Sequence, residues 1–145
     1  MAILRMDHVS VIVEDLDAAL RFFVELGMAV EGRATVSGEW VDRVNALDDV
    51  RVEMAMLQTP DGHSKLELTR FLNPAATTAE PGAPVNTYGY RTVMFEVDDI
   101  ADAVTRLEPL GGSLVGEIAR FEDLYLICYV RGPSGIIVAL AEQIP

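Results

Sequence analysis

An internal repeat constrains this chain more than any other feature of its 145 residues. Residues 7–28, DHVSVIVEDLDAALRFFVELGM, lie without a gap on residues 91–112, RTVMFEVDDIADAVTRLEPLGG, with identities at Val9/Val93, Val13/Val97, Asp15/Asp99, Ala19/Ala103, Leu26/Leu110 and Gly27/Gly111. The two copies also carry the same physical signals in the same order. Each opens on β-branched and apolar residues at period two (Val9, Val11, Val13; Val93, Phe95, Val97), the pattern of a strand with one buried face. Each then meets an acidic pair, Glu14-Asp15 or Asp98-Asp99, where a carboxylate can cap a following helix. Apolar residues at three- and four-residue spacing follow (Ala19, Phe22, Phe23, Leu26; Ala103, Leu107, Leu110). Each helix is expected to end at a glycine, Gly27 or Gly111, suited to a left-handed C-cap.

The second halves correspond as well. Residues 51–57 and 124–130 are strand-like, and each runs into a turn, Thr59-Pro60-Asp61-Gly62 or Gly132-Pro133-Ser134-Gly135. A last strand is expected in each copy, over 65–71 and 136–141. Between the copies, 72–89 is rich in Pro, Ala, Thr and Gly, the composition of an irregular connector. The expected fold is α+β: one domain over 1–145 made of two βαβββ modules, at about 4–71 and 90–142, joined by a linker at about 72–89. In each module the helix covers one face of the sheet and leaves the other free to build a cup.

Composition narrows the partners. Acidic residues number 23 against 11 basic, a formal charge of −12, which repels nucleic-acid phosphates and anionic lipid. No apolar stretch is long enough to span a bilayer and no signal-peptide core is present, so the expected location is the cytoplasm. The single cysteine, Cys128, excludes an intrachain disulfide and a multi-cysteine zinc site, and its apolar surroundings predict a buried thiol. GxSxG, P-loop, CxxC and HExxH motifs are all absent.

The paired modules, with His8 opening the first strand, VEDLDAALRFF after it, PDGHSKLEL closing the first module, and FEVDDI and RGPSGIIVALAE in the second, resemble the vicinal oxygen chelate superfamily of glyoxalase I, extradiol dioxygenases, fosfomycin-modifying enzymes and bleomycin-binding resistance proteins. The resemblance covers the chain outside the linker and implies cup-shaped mixed sheets. It also implies, in the enzymes, one divalent cation held by a ligand on the first and on the last strand of each module. In the first module those positions match His8 and Glu67, a plausible partial site for zinc, iron, nickel or manganese. Glu67 also has the chemistry of a base, or of a simple salt-bridge partner for Lys65 or Arg70. In the second module the matching positions are Thr92 and Ala139, a weak ligand and none. His63, Glu96 and Glu122 are poorer substitutes.

Two functions stay open. One is a resistance-protein-like binder with no cofactor, sequestering an apolar, aromatic or cationic compound against Met54, Met56, Thr92, Met94, Tyr125 and Tyr129. The other is a glyoxalase-type lyase, isomerase or dioxygenase in which a divalent metal polarises substrate oxygens and Glu67 moves a proton. Residues 34–50 carry the sole tryptophan, Trp40, which either rims the cup as a stacking surface or packs as core. The resemblance further implies a homodimer, with the first module of one chain facing the second of its partner.

Overall fold

The computed structural model describes residues 5–77, 80–89 and 92–145. Residues 4, 90 and 91 at the expected module boundaries, and 78 and 79 of the connector, lie outside the described residues. The chain divides into two compact units, Met1–Thr77 and Thr78–Pro145. Among the described residues there are two curved mixed sheets and three α-helices, the α+β arrangement that the repeat predicts.

The first unit runs β1 (Val9–Ile12), α1 (Leu16–Glu25), β2 (Ala29–Ser37), α2 (Glu39–Asn45), β3 (Arg51–Gln58) and β4 (Lys65–Asn73). Its four strands lie in the order β1-β4-β3-β2, with β1 parallel to β4 and the other pairs antiparallel. Asp15 caps α1 by accepting from the Ala18 N–H at 3.0 Å, and Gly27 closes it at φ +114°, where a side chain would be strained. Leu16, Ala19, Phe22 and Phe23 are the buried stripe of α1, and the alternate residues Ala55, Leu57, Leu66 and Leu68 are buried in the strands. Period two in the strands and period 3.6 in the helix thus meet in one core.

Two expectations need correction here. Residues 34–37 of the segment that carries Trp40 belong to β2, a strand not among those expected, and β4 continues to Asn73, two residues past the expected last strand at 65–71. A nine-residue edge strand in which every residue but Val36 is exposed has no buried face, hence no alternation to read.

The second unit runs β5 (Val93–Glu96), α3 (Ile100–Leu107), β6 (Ser113–Leu114), β7 (Ala119–Phe121), β8 (Tyr125–Arg131) and β9 (Ile137–Gln143). Its order is β5-β9-β8-β6, with β7 also paired to β8 and β5 parallel to β9. Asp99 caps α3 from the Asp102 N–H at 2.9 Å, repeating Asp15, and Gly111 sits at φ +91°, repeating Gly27. Pro109 lacks the N–H that an α-turn needs, so α3 gives way to a 3-10 turn over Glu108–Leu110. Ile100, Val104 and Leu107 are the buried side chains of α3; Val104, and not Ala103, is the buried residue in the middle of the helix. No helix among the described residues is long and apolar enough to cross a membrane.

Candidate functional site

The register of each sheet decides which side chains share its open face. In the first unit Ser10, Glu67, Met56 and Gly32 lie side by side across β1, β4, β3 and β2, and Ile12, Thr69, Met54 and Ala34 form the next row. His8, two residues before Ser10, reaches the same face: its Nε2 lies 3.4 Å from Glu67 Oε2. The other carboxylate oxygen, Oε1, accepts from Ser10 Oγ at 3.2 Å and from Thr69 Oγ1 at 3.0 Å. Thr69 is 6 % exposed, so its hydroxyl depends on this partner. Lys65, a salt-bridge alternative for Glu67, pairs instead with Glu31 at 3.0 Å.

The opposite ring nitrogen of His8, Nδ1, lies 2.8 Å from Asp7 Oδ2, and Arg5 meets the same carboxylate at 2.8 Å. The hydrogen bond with His8, reinforced by the charge of Arg5, holds the Asp7 carboxyl below the usual aspartate range. Both nitrogens of His8 therefore face carboxylates. Because carboxylates only accept hydrogen bonds and a neutral imidazole carries a single N–H, neutral His8 can donate to only one of the two.

α2 packs at the other end of this face. Val41 is buried with Val50 and Val52 against Val36 and Phe71, and Phe71 is four residues, about 13 Å, along β4 from Glu67. Trp40, next to Val41, is 63 % exposed. It does not pack as core within the chain; it stands on a helix bordering the face that carries Glu67.

In the second unit the open face carries Met94, Ala139 and Tyr129 in one row and Glu96, Ala141 and Ile127 in the next, with Thr92 exposed just before β5. Ala139 thus occupies the place of Glu67, Met94 that of Ser10, and Tyr129 that of Met56. Tyr125 lies on the same face, two residues from Ile127 and opposite Phe121 of β7. Cys128 faces the helix side beside Leu140 and is buried, which pushes its thiol pKa up. Of the substitutes, His63 is exposed in the β3–β4 turn and Glu122 in the β7–β8 turn, while Glu96 is exposed on the open face. A recess of about 320 Å³ opens beside Ile127 and Tyr129, lined also by Gly116, Glu117 and Phe121. The sequence reading missed this recess. Gly116, interrupting an apolar run, was the available signal.

Residues 5–140 match the family model described as Glyoxalase/Bleomycin resistance protein/Dioxygenase superfamily, and the chain belongs to that superfamily. A glyoxalase family protein from Bacillus cereus is 50 % identical over 100 % of this chain and 97 % of its own, with a TM-score of 0.95. A glyoxalase I mutant from Zea mays shares the fold at 18 % identity and a TM-score of 0.69, covering 97 % of this chain and 45 % of that one. A fosfomycin resistance protein mutant from Listeria monocytogenes, crystallised with Mn(II) and 1S,2S-dihydroxypropylphosphonic acid, shares it at 11 % identity and a TM-score of 0.62 over 96 % of this chain and 90 % of that one. No curated protein matches the chain.

The family resemblance calls for a test of the metal positions. Two ligands of one ion at about 2.1 Å stand about 3.4 Å apart in a tetrahedral shell, and His8 Nε2 and Glu67 Oε2 have that spacing. The first unit therefore offers one edge of a coordination shell. Thr92 and Ala139 supply no second edge, because alanine has no donor and a threonine hydroxyl binds transition metals weakly. Among the described residues, no group of three or more His, Cys, Asp or Glu side chains is placed to hold a metal ion. The residues do not make up a four-side-chain centre.

Proposed function

We propose that this chain is a small-molecule-binding member of the superfamily that holds an apolar, aromatic or cationic compound against its open sheet faces without a complete metal centre. The observation that carries this reading is Ala139 in the register position of Glu67. Where an enzyme of the resembled kind needs a second carboxylate, this chain has a methyl group flanked by Met94 and Tyr129. Met94 is 59 % exposed and Phe121 53 %, so the second sheet presents apolar surface that a ligand would cover. Each 100 Å² of that surface removed from water contributes about 2.5 kcal/mol before the cost of immobilising the ligand. Glu67, fixed by two hydroxyl donors, gives a polar ligand group a defined partner in the first unit.

The proposal extends to assembly. Two copies related by a twofold axis would present the first unit of one chain to the second unit of the other and close two equivalent sites. Sedimentation at twice 15.8 kDa supports that arrangement, and a strict monomer removes it.

A second reading, a divalent-metal-dependent lyase, isomerase or dioxygenase, rests on the two carboxylates that flank His8. Elemental analysis of protein purified without chelator separates the two. The binder reading expects well under one equivalent of zinc, iron, nickel or manganese, and no change in His8→Ala. A near-stoichiometric metal lost in that variant would overturn it.

A further inference from the structure

The recess in the second unit has an identifiable origin in an interrupted edge strand. β6 pairs with β8 as far as Leu114 opposite Val130, and the Val115 N–H donates to the Tyr129 carbonyl at 3.0 Å. Pairing resumes in β7 with Ala119 opposite Ile127. Between these points β8 has one residue, Cys128, and the edge has three: Gly116, Glu117 and Ile118. The surplus leaves the ladder as a bulge of three residues against one, and bulges re-aim side chains at sheet edges. At about 320 Å³ the opening is the size of a small-ligand site.

Its chemistry is asymmetric. Ile127, Phe121 and Tyr129 give it an apolar floor with two aromatic rings. The cation in its lining, Arg120, is already committed: Nε donates to the Glu122 carbonyl at 3.1 Å and Nη2 to Asp123 Oδ1 at 2.7 Å. Glu117 is exposed and makes no ion pair among the described residues. Glu96 adds a second carboxylate to the same face, two strands from Ile127. An anion entering here meets unneutralised negative charge, and a neutral ring leaves that charge unused. A flat cation satisfies both the rings and the carboxylate.

Resting on the small-molecule reading above, we propose that this recess binds a planar organic cation, with its ring against Tyr129 and Phe121 and its positive charge beside Glu117.

The test is fluorescence titration of the full chain with two tricyclic probes of similar outline, the cation proflavine and the anion 9-anthracenecarboxylate. Proflavine binds about tenfold or more tightly than the anion, and Glu117→Gln weakens it by about fivefold, as expected for a lost charge partner in a partly desolvated site. Asp48→Asn, which removes the same unit of charge from an exposed position elsewhere, changes proflavine affinity less than about twofold. Tyr129→Leu, chosen because it keeps bulk on the face, weakens both probes. Equal effects of Glu117→Gln and Asp48→Asn would make the preference a property of the whole acidic surface and overturn the cation site. In that case a loss of affinity in Tyr129→Leu still upholds the small-molecule reading. Unchanged binding of both probes in a folded Tyr129→Leu protein overturns both.

Discussion

Glu67 and Ala139 hold the same position in two copies of one sheet: each is paired with a parallel first strand, at Ser10 or Met94, and with an antiparallel neighbour, at Met56 or Tyr129. Duplication has preserved the scaffold while the chemistry of the two open faces has diverged. One row is polar and built around a carboxylate; the other is apolar and built around a methyl group. The larger buried side chains, Leu57, Leu66, Leu68, Val138 and Leu140, lie on the opposite face of the strands, while Ala139 is buried on the open face at 1 % exposure.

The carboxylate of Glu67 also has a structural consequence. Its Oε1 is the acceptor for Thr69 Oγ1, which is 6 % exposed. Glu67→Ala leaves that hydroxyl without its partner and is expected to cost about 1–3 kcal/mol. Glu67→Gln keeps a carbonyl oxygen at the position and should cost less than half as much. Urea denaturation of the two variants checks the order, and equal losses would mean that the charge, and not the acceptor, matters.

A second prediction concerns the turn before β9. Arg131 Nη1 donates to the Pro81 carbonyl and Nη2 to the Ala83 carbonyl, both at 2.8 Å, tying the connector to β8. Gly135 sits at φ +77°, and a Cβ there would lie 2.5 Å from the Pro81 carbonyl oxygen. Gly135→Ala is therefore expected to destabilise by about 2–4 kcal/mol through strain and overlap together. Arg131→Met, which keeps the stem and removes the donors, should speed hydrogen exchange in 80–84 more than in β8.

Neighbouring residues on α2 should behave in opposite ways. Val41 is 4 % exposed against Val50 and Val52, so Val41→Ala is expected to cost about 1–2.5 kcal/mol. Trp40 is 63 % exposed, and Trp40→Ala should stay within about 0.5 kcal/mol of the parent. Trp40 emission should be that of a solvated indole, quenched readily by acrylamide and shifted little on unfolding. A blue-shifted, protected Trp40 would mean that a second copy or another partner covers α2 in solution.

These contrasts show what the sequence disclosed and why. The duplicated caps Asp15 and Asp99, the closing glycines and the period-two strands were legible because each depends on local chemistry or on a buried face. The correspondence of Glu67 with Ala139 followed from the repeat, whereas their pairing with Ser10 and Met94 is a strand register that a repeat does not fix. β2 was illegible because an edge strand exposed on both faces has no alternation. The recess by Glu117 was hidden for a different reason: a bulge is a mismatch between two strands, and neither strand contains it alone. The contacts of Asp7 with His8 and of Thr69 with Glu67 depend on rotamers, which sequence spacing does not specify.

The turn between β3 and β4 gives a pH prediction whose sign is set by geometry. Asp61 Oδ1 accepts from Thr59 Oγ1 at 2.6 Å and from the His63 N–H at 3.0 Å. The hydroxyl bond first, and the backbone bond second, hold its carboxyl below the ordinary aspartate value. A group whose folded pKa lies below its unfolded one stabilises the fold above the unfolded value, about 3.9, and loses that contribution as pH falls through the lowered folded value. Asp61→Asn should therefore leave the acid limb of the stability curve shallower below about pH 4, while the separation between variant and parent narrows as the parent's carboxyl is protonated. Thermal unfolding from pH 7 to pH 2.5 measures both. An acid limb of unchanged steepness in the variant would show that the turn persists in the unfolded chain, where Thr59 and Asp61 are only two residues apart.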